Sequence, residues 1–407
     1  MMMRQLRRAL CSLLPLVLLP MLLSGCWERR ELNELAFVLA LGIDKAESGF
    51  KITMQVVIPS AISSQNGGAA GGGVPVASYS FTAPTIYESL RQFNMTVSRS
   101  AYMGHIRVLV IGESLAREGV SPMLDVLKRS REPRMDFYVM VAKGGTAEEA
   151  LNVLSALDRL PANKLYNALD KSYKVSARTV AVTLDRFIED LLYQGKNPVL
   201  TGVEVKGDPD AGGEKRNTER TNPKTKLRYE SVAVFRKDKM LGWLSAEEVA
   251  GYNYITDNVI KNTGHVDGDE DGLVVIEALK SKTRRKVKFI EGEPHIYLDI
   301  EALCNVEEVT GRDQLDEDKI ILDLERKAEK RIVMRMKQSV EQINDRFNVD
   351  IFGFGQSIFE ANPKAWTRLL EQSGGDYLKS LPVHYKATVI INRIGAIDNS
   401  FIDQIKE

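Results

Sequence analysis

Hydrophobic positions along the chain recur at two spacings. Some segments repeat every second residue and others every third or fourth, so strands and helices are both predicted. Phe50, Ile52, Met54, Val56 and Ile58 alternate with Lys51, Thr53 and Gln55, the pattern of a half-buried strand. Residues 106–111 and 136–142 read as further short strands. Between them, Thr85 followed three residues later by Glu88 predicts a capping box, with Ile86, Leu90, Phe93 and Val97 on one face of the helix behind it. Pro122 opens another helix where its missing N–H costs nothing, and Thr146 with Glu149 caps a third. Leu184, Phe187, Ile188, Leu191 and Leu192 form a helical stripe that Gly195 closes.

Beyond this stripe the pattern changes. Residues 206–226 are polar and charged and read as a surface excursion, like the Gly-rich loop at 65–73. Segments 231–235 and 240–244 bracket Lys237, Asp238 and Lys239 as a hairpin, and Ser245 with Glu248 caps a helix expected to reach about Ile260. Ile296, Leu298, Ile300 and Ala302 alternate in a strand, as do Val383, Tyr385, Ala387, Val389 and Ile391. Between those two strands, residues 315–347 carry the stripe Ile321, Leu324, Ala328, Ile332, Met336, Val340, Ile343 and Phe347, with a charged opposite face. The expected fold class is α+β, in three mixed α/β domains, the last a sheet packed on one long amphipathic helix. The boundaries drawn from these patterns are an N-terminal α/β domain at 26–195 and a middle α+β domain at 196–284, with a flexible charged excursion near 206–226. A C-terminal α+β domain at 285–407 contains the long helix 315–347.

The first 25 residues form a separate element. Arg4, Arg7 and Arg8 precede an apolar run over 9–23, interrupted only by Cys11, Ser12, Pro15 and Pro20. The run is 15 residues, where a spanning helix needs about 20, and its prolines remove backbone hydrogen bonds that lipid cannot replace. A secretory signal at 1–25 is predicted. Leu23, Ser24, Gly25 and Cys26 resemble the lipobox of bacterial lipoproteins, which implies cleavage between Gly25 and Cys26 and an S-diacylglyceryl group on the Cys26 thiol, with N-acylation possible. An ordinary signal peptide with a nearby cysteine is the alternative. A two-chain anchor holds stably because each buried CH₂ contributes about 0.8 kcal/mol. The longest later apolar stretch, 35–43, is nine residues, so the body is expected to hang from the bilayer through Cys26 and not to cross it.

Charge and cysteine count narrow the partners. The signal holds three of the 55 basic residues, leaving 52 against 55 acidic ones, and this near balance argues against nucleic acid. With Cys11 removed and Cys26 acylated, Cys304 stands alone, so no intrachain disulfide is expected and a packed thiol is the simplest reading. No nucleophile elbow, zincin, C-x-x-C or Walker pattern occurs. His105, His265, His295 and His384 show no metal spacing, and His295 and His384 fall on polar strand faces. Asp267, Asp269, Asp271 and Gly272 match the opening of an EF-hand loop, but Ala278 stands at position 12 and a strand reads on from Leu273, which favours an acidic, solvated turn. No catalytic residue, metal ligand or cofactor is assigned.

Several segments in order resemble the Ger(x)C-type spore germination lipoproteins, the C components of nutrient germinant receptors. These are Gly25 to Leu32 around the anchor; Leu41, Gly42, Ile43 and Asp44; Ser80, Phe81 and Thr82; Gly104 to Glu113; Arg129 to Arg134; Val234 to Leu244 with Trp243; and Asp350 to Gly355, followed by Pro363 and Trp366. The resemblance implies a three-domain, non-enzymatic subunit on the outer face of the inner spore membrane. Its implied partners are membrane-integrated A and B type receptor subunits, with an extracytoplasmic scaffold as the expected role. A solute-binding lipoprotein serving a transporter and a cell-wall hydrolase are the competing classes. Gly353 and Gly355 beside Phe352 and Phe354 read most simply as a tight turn with two buried rings, and Trp243 and Trp366 as core. Trp27 suits a membrane interface, and Arg29 and Arg30 suit either lipid phosphates or a linker.

Overall fold

The computed structural model describes residues 31–63, 74–268, 272–310, 315 and 318–393, together with Met2, Met3 and Gln5. The fold is mixed α/β, built on two sheets. The first contains β1 (Leu35–Lys45), β2 (Phe50–Val57), β3 (Val76–Ala83), β4 (Ser100–Tyr102), β5 (Val108–Gly112), β6 (Tyr138–Ala142), β7 (Val199–Lys206), β8 (Lys226–Arg236) and β9 (Lys239–Leu244). Their order is β3-β2-β1-β5-β6-β7-β8-β9, with β4 beside β1. The central run β1-β5-β6-β7 is parallel and the flanks are antiparallel.

A parallel centre must be covered on both faces, and the side chains divide accordingly. Leu109 and Ile111 of β5 join a core with Ile86, Phe93, Met123, Leu127 and Phe187 from one helical layer. Val108 and Val110 pack with Ala147, Leu151, Leu165 and Leu169 of the other. The helix Ala147–Asn152 is fixed to β1 by Asp44, whose carboxylate accepts from Ala147 N at 2.7 Å and Glu148 N at 3.1 Å. Two glycines admit this contact. A Cβ on Gly112 would lie 2.1 Å from Asp44 Oδ1, and one on Gly42 would lie 2.9 Å from Leu151 Cδ1. Burial pushes the Asp44 carboxyl above its ordinary range, opposed by the two amides it holds.

The second sheet is β10 (Asn262–Asp267), β11 (Leu273–Ile290), β12 (Glu293–Val309) and β13 (Val383–Arg393), in that order. The helix Asp318–Phe347 lies on one face, with Leu324, Ala328, Ile332, Met336, Val340 and Ile343 buried against Ile296, Leu298, Ile300 and Ala302. β13 runs parallel to β12, a pairing that needs the intervening helices as a crossover.

Several expectations shift in detail. β7 pairs with β6 in parallel, Met140 opposite Thr201, so the first sheet continues past position 195. β8 and β9 extend it, whereas β10 and β11 belong to the second sheet and position 284 falls inside β11. Residues 196–284 therefore contribute to both sheets. The excursion at 206–226 is tied down by Asn217, whose amide donates to Leu154 O at 3.1 Å and Thr225 O at 3.0 Å and accepts from Thr225 N at 3.1 Å. The helix Ala246–Ile255 stops short of Ile260 because Asp257 takes a left-handed conformation, φ 61°. It is buried from Glu248 to Ile255 and crosses the long helix so closely that a Cβ on Gly251 would lie 2.0 Å from Ser339 Oγ. Leu192, the last residue of its predicted stripe, is 75% exposed because its helix ends there.

Asp44→Ala would orphan two amides at a buried helix N-terminus, one fully buried, and is expected to lower stability by about 2–4 kcal/mol. Asp44→Asn, which keeps an accepting oxygen, recovers part of that loss. Urea midpoints of the three proteins check the order.

Candidate functional site

The two sheets meet at a joint built by Asp350, Ile351, Phe352, Gly353, Phe354 and Gly355. Asp350 is 3% exposed and follows the long helix. Its carboxylate accepts from Gly353 N at 2.8 Å, Gly355 N at 2.7 Å and Tyr377 Oη at 2.7 Å. These bonds fold the chain into a turn, with Gly353 left-handed at φ 75°, that starts the helix Phe354–Ala361. Two further backbone bonds cross to the segment before β7: Asn197 N donates to Asp350 O at 2.7 Å, and Gln356 N donates to Gly195 O at 3.0 Å. Space at the crossing excludes a side chain on either backbone. A Cβ on Gly195 (φ 73°) would lie 2.5 Å from the Gly355 carbonyl carbon, and one on Gly355 would lie 2.5 Å from Tyr377 Oη and 2.6 Å from the Trp366 ring. Phe352 and Phe354 stack at 5.2 Å, both buried. Burial raises the Asp350 carboxyl, against the pull of its donors and of the Arg285 charge.

Beside the joint lies a polar chamber of about 510 Å³. One wall comes from the first-sheet unit, with Tyr173, Val180, Ala181, Arg186, Asp190 and Lys196. The opposite wall carries Thr283, Arg285, Phe352, Gln356 and Ser357, and the C-terminal end of the helix Ala246–Ile255 closes the space between them. Asp190 pairs with Lys196 Nζ at 2.8 Å and Arg186 Nε at 3.2 Å. Arg285 donates through Nη1 to Gly353 O at 3.0 Å and Ser357 Oγ at 3.2 Å, and through Nη2 to Ile255 O at 3.3 Å. Among the described residues no carboxylate lies in ion-pair range of Arg285. Asp257 bonds Lys282, and Glu360, on the exposed rim, accepts from Gln356 at 2.9 Å. Burial lowers the proton affinity of both Lys196 and Arg285, and Asp190 counters it at Lys196. The lining holds fixed charges, and Ser357 Oγ donates to Gly353 O at 3.0 Å.

Gly25 and Cys26, with Trp27, Arg29 and Arg30, lie outside the described residues. His295 and His384, read as lying on polar strand faces, are brought together by the register of β12 and β13, with Nδ1 to Nε2 at 3.0 Å and Tyr297 stacked on His384 at 4.4 Å. His105 packs against Phe37 and Tyr102, and His265 Nε2 lies 3.4 Å from Arg331. Cys304 is buried, and burial pushes its thiol up to about 12. Trp366 is buried against Tyr377, whereas Trp243 is partly exposed and donates to Glu113 Oε1 at 3.2 Å. Beyond Asp267, Gly268 N bonds Gly272 O at 2.8 Å and β11 begins at once, so a strand stands where an EF-hand needs a helix. Residues 269–271 lie outside the described residues. Among the described residues no group of three His, Cys, Asp or Glu is placed to hold a metal, and no helix is long and apolar enough to cross a membrane.

Sequence reasoning did not single out Asp190, Lys196 or Arg285. For Arg285 the cause is a bulge. Val274, Ile276 and Ala278 face inward from even positions, but the register of β11 slips between Ala278 and Lys280, and inward positions become odd. Thr283 and Arg285 then face the core, a reversal that alternation alone cannot forecast.

Residues 28–205 match the family model described as the spore germination protein N-terminal domain, and residues 230–395 match the spore germination B3/GerAC-like C-terminal model. The chain is 30% identical over 403 residues to spore germination protein KC of Bacillus subtilis (strain 168), covering 98% of this chain and 99% of that one. It is 22% identical over 382 residues to spore germination protein A3 of the same organism, covering 92% and 95%. Its fold is similar to the crystal structure of the GerBC protein, with a TM-score of 0.50 and 17% identity, covering 86% of this chain and 96% of that one. The joint described above links the two matched segments, since Gly195 and Asn197 lie in the first and Asp350 to Tyr377 in the second.

Tyr377→Phe removes one hydrogen bond from a buried carboxylate and is expected to cost about 1.5–3 kcal/mol, read as a fall in the thermal midpoint. Cys304 is expected to stay unmodified by iodoacetamide in the folded protein and to react fully in urea, as intact mass would show.

Proposed function

Since the chain belongs to the GerAC-like family of spore germination proteins, a family of germinant-receptor C subunits, we propose that it is the lipid-anchored C subunit of a spore nutrient germinant receptor. In this reading Cys26 carries the diacylglyceryl group after cleavage behind Gly25, and the body sits on the outer face of the inner spore membrane. Membrane-integrated A and B type subunits are its partners. Its part is non-enzymatic, an extracytoplasmic scaffold that docks to them.

The observation that carries the reading is the likeness over 98% of the chain to a spore germination protein, with both family segments in order. Covalent geometry adds a constraint. Eight residues separate Cys26 from the start of β1 at Leu35. The nine steps from Cys26 to Leu35, at about 3.3–3.6 Å each when extended, let the body stand at most roughly 30–32 Å from the lipid. Held that close, the body meets integral partners at a high effective concentration, so modest contacts are sufficient for assembly.

Replacing Cys26 by Ala is expected to release the protein from spore membranes and abolish the germinant response. Purification of the natural protein from those membranes is expected to bring two integral proteins with it. Normal membrane retention and germination in the Cys26→Ala strain would remove the anchored-subunit reading.

A further inference from the structure

The chamber beside the joint is lined by three cations, Arg186, Lys196 and Arg285, and three carboxylates, Asp190, Asp257 and Glu360. Asp190 pairs with Lys196 and Arg186, and Arg186 also reaches Glu189 at 3.2 Å, so among the described residues Arg285 is the lining cation with no carboxylate in ion-pair range. Arg285 is held by three neutral oxygens, the carbonyls of Gly353 and Ile255 and the hydroxyl of Ser357. Those bonds use three of the five N–H donors of a guanidinium and leave two on a side chain that lines the chamber. Serving the carbonyl end of the helix Ala246–Ile255 accounts for the bond to Ile255. It does not account for the spare donors. The buried Asp350 carboxylate acts on Arg285 through space without bonding it, and a planar guanidinium with free N–H groups is matched by the two oxygens of a carboxylate or by a phosphate.

We propose that this chamber is a binding site for a small solute bearing an oxyanion, carboxylate or phosphate, anchored by Arg285 and Lys196. Its volume of about 510 Å³ falls within the roughly 300–1,000 Å³ typical of small-molecule sites. Asn258 and Gln356 offer amides to the rest of the solute, and Val180, Ile255 and Phe352 supply apolar surface. The two anchors come from opposite units. Lys196 stands between Gly195 and Asn197, the residues that cross to the joint, and Arg285 belongs to β11. A bound oxyanion therefore bridges the two sheets and stiffens the joint. The site does not depend on the lipid anchor, so its presence or absence is decided separately from the receptor-subunit reading.

The test uses the full-length protein in detergent, with malate and inorganic phosphate as probes, sodium chloride at matched ionic strength and glycerol as controls. Malate or phosphate is expected to raise the melting temperature saturably by about 3 °C or more, while the controls do not. Arg285→Gln and Lys196→Gln are expected to abolish the rise. Because Arg285→Gln also loosens the joint and can fail to fold, Ala181→Leu, which adds bulk at a lining residue other than the anchors, is measured beside it and is expected to abolish the rise as well. Phosphate stabilises many proteins by exclusion from their surface. An equal rise in the Ala181→Leu protein would therefore identify a surface ion effect and overturn the proposal, as would a lack of response to both probes.

Discussion

A single buried carboxylate organises the meeting of the two sheets. Asp350 lies out of water, where an ionised oxygen is tolerable only with its lone pairs engaged. Gly353 N, Gly355 N and Tyr377 Oη engage them, and in doing so they set the turn that launches the helix Phe354–Ala361. That turn carries Gln356 N onto Gly195 O and leaves Asp350 O to accept Asn197 N. The same turn presents Gly353 O and Ser357 Oγ to Arg285, so the far wall of the chamber follows from it too. Remove the carboxylate and the crossing loses its directed bonds, leaving two backbones without side chains beside the apolar core that Val199, Val232 and Val234 share with Ile351, Phe352 and Phe354.

Most elements were legible where one physical signal dominated. The long helix announced itself by its stripe, and Leu324, Ala328, Ile332, Met336, Val340 and Ile343 are buried as that stripe requires. Thr146 and Ser245 make the reciprocal caps that their Glu partners predict. Thr85 makes only the forward bond, to Glu88 N at 3.2 Å. The helix Ala246–Ile255 was harder to bound because it is buried on all sides, so its apolar residues mark no face and no end. Long-range pairing was not legible at all. Nothing in residues 136–142 or 199–206 says that they lie side by side, and that pairing carries the first sheet beyond position 195.

The candidate site was the least legible part, for a physical reason. Its charged groups sit in elements whose patterns are set by something else, Asp190 in an amphipathic helix and Arg285 in a strand whose inward face reverses at a bulge. The Asp350 to Gly355 signature was visible, but its glycines pointed only to a turn. Their further duty, admitting Gly195 and the Trp366 and Tyr377 rings, needs residues distant in sequence. The same holds for Leu41 to Asp44, where Asp44 caps a helix more than a hundred residues away. Two of the segments through which the chain resembles its family thus act as fasteners, one inside the first unit and one between the units. The proposed role as a tethered scaffold would call for this kind of construction, because a body that presents several faces to partners must hold those faces in a fixed relation.

That fixed relation is open to a direct measurement by differential scanning calorimetry of the protein and its Asp350→Asn variant. If the Asp350 joint makes the two sheets one cooperative body, the parent protein melts in a single transition and the variant separates into two. Two independent transitions in the parent protein, or a single unchanged transition in the variant, would contradict the account.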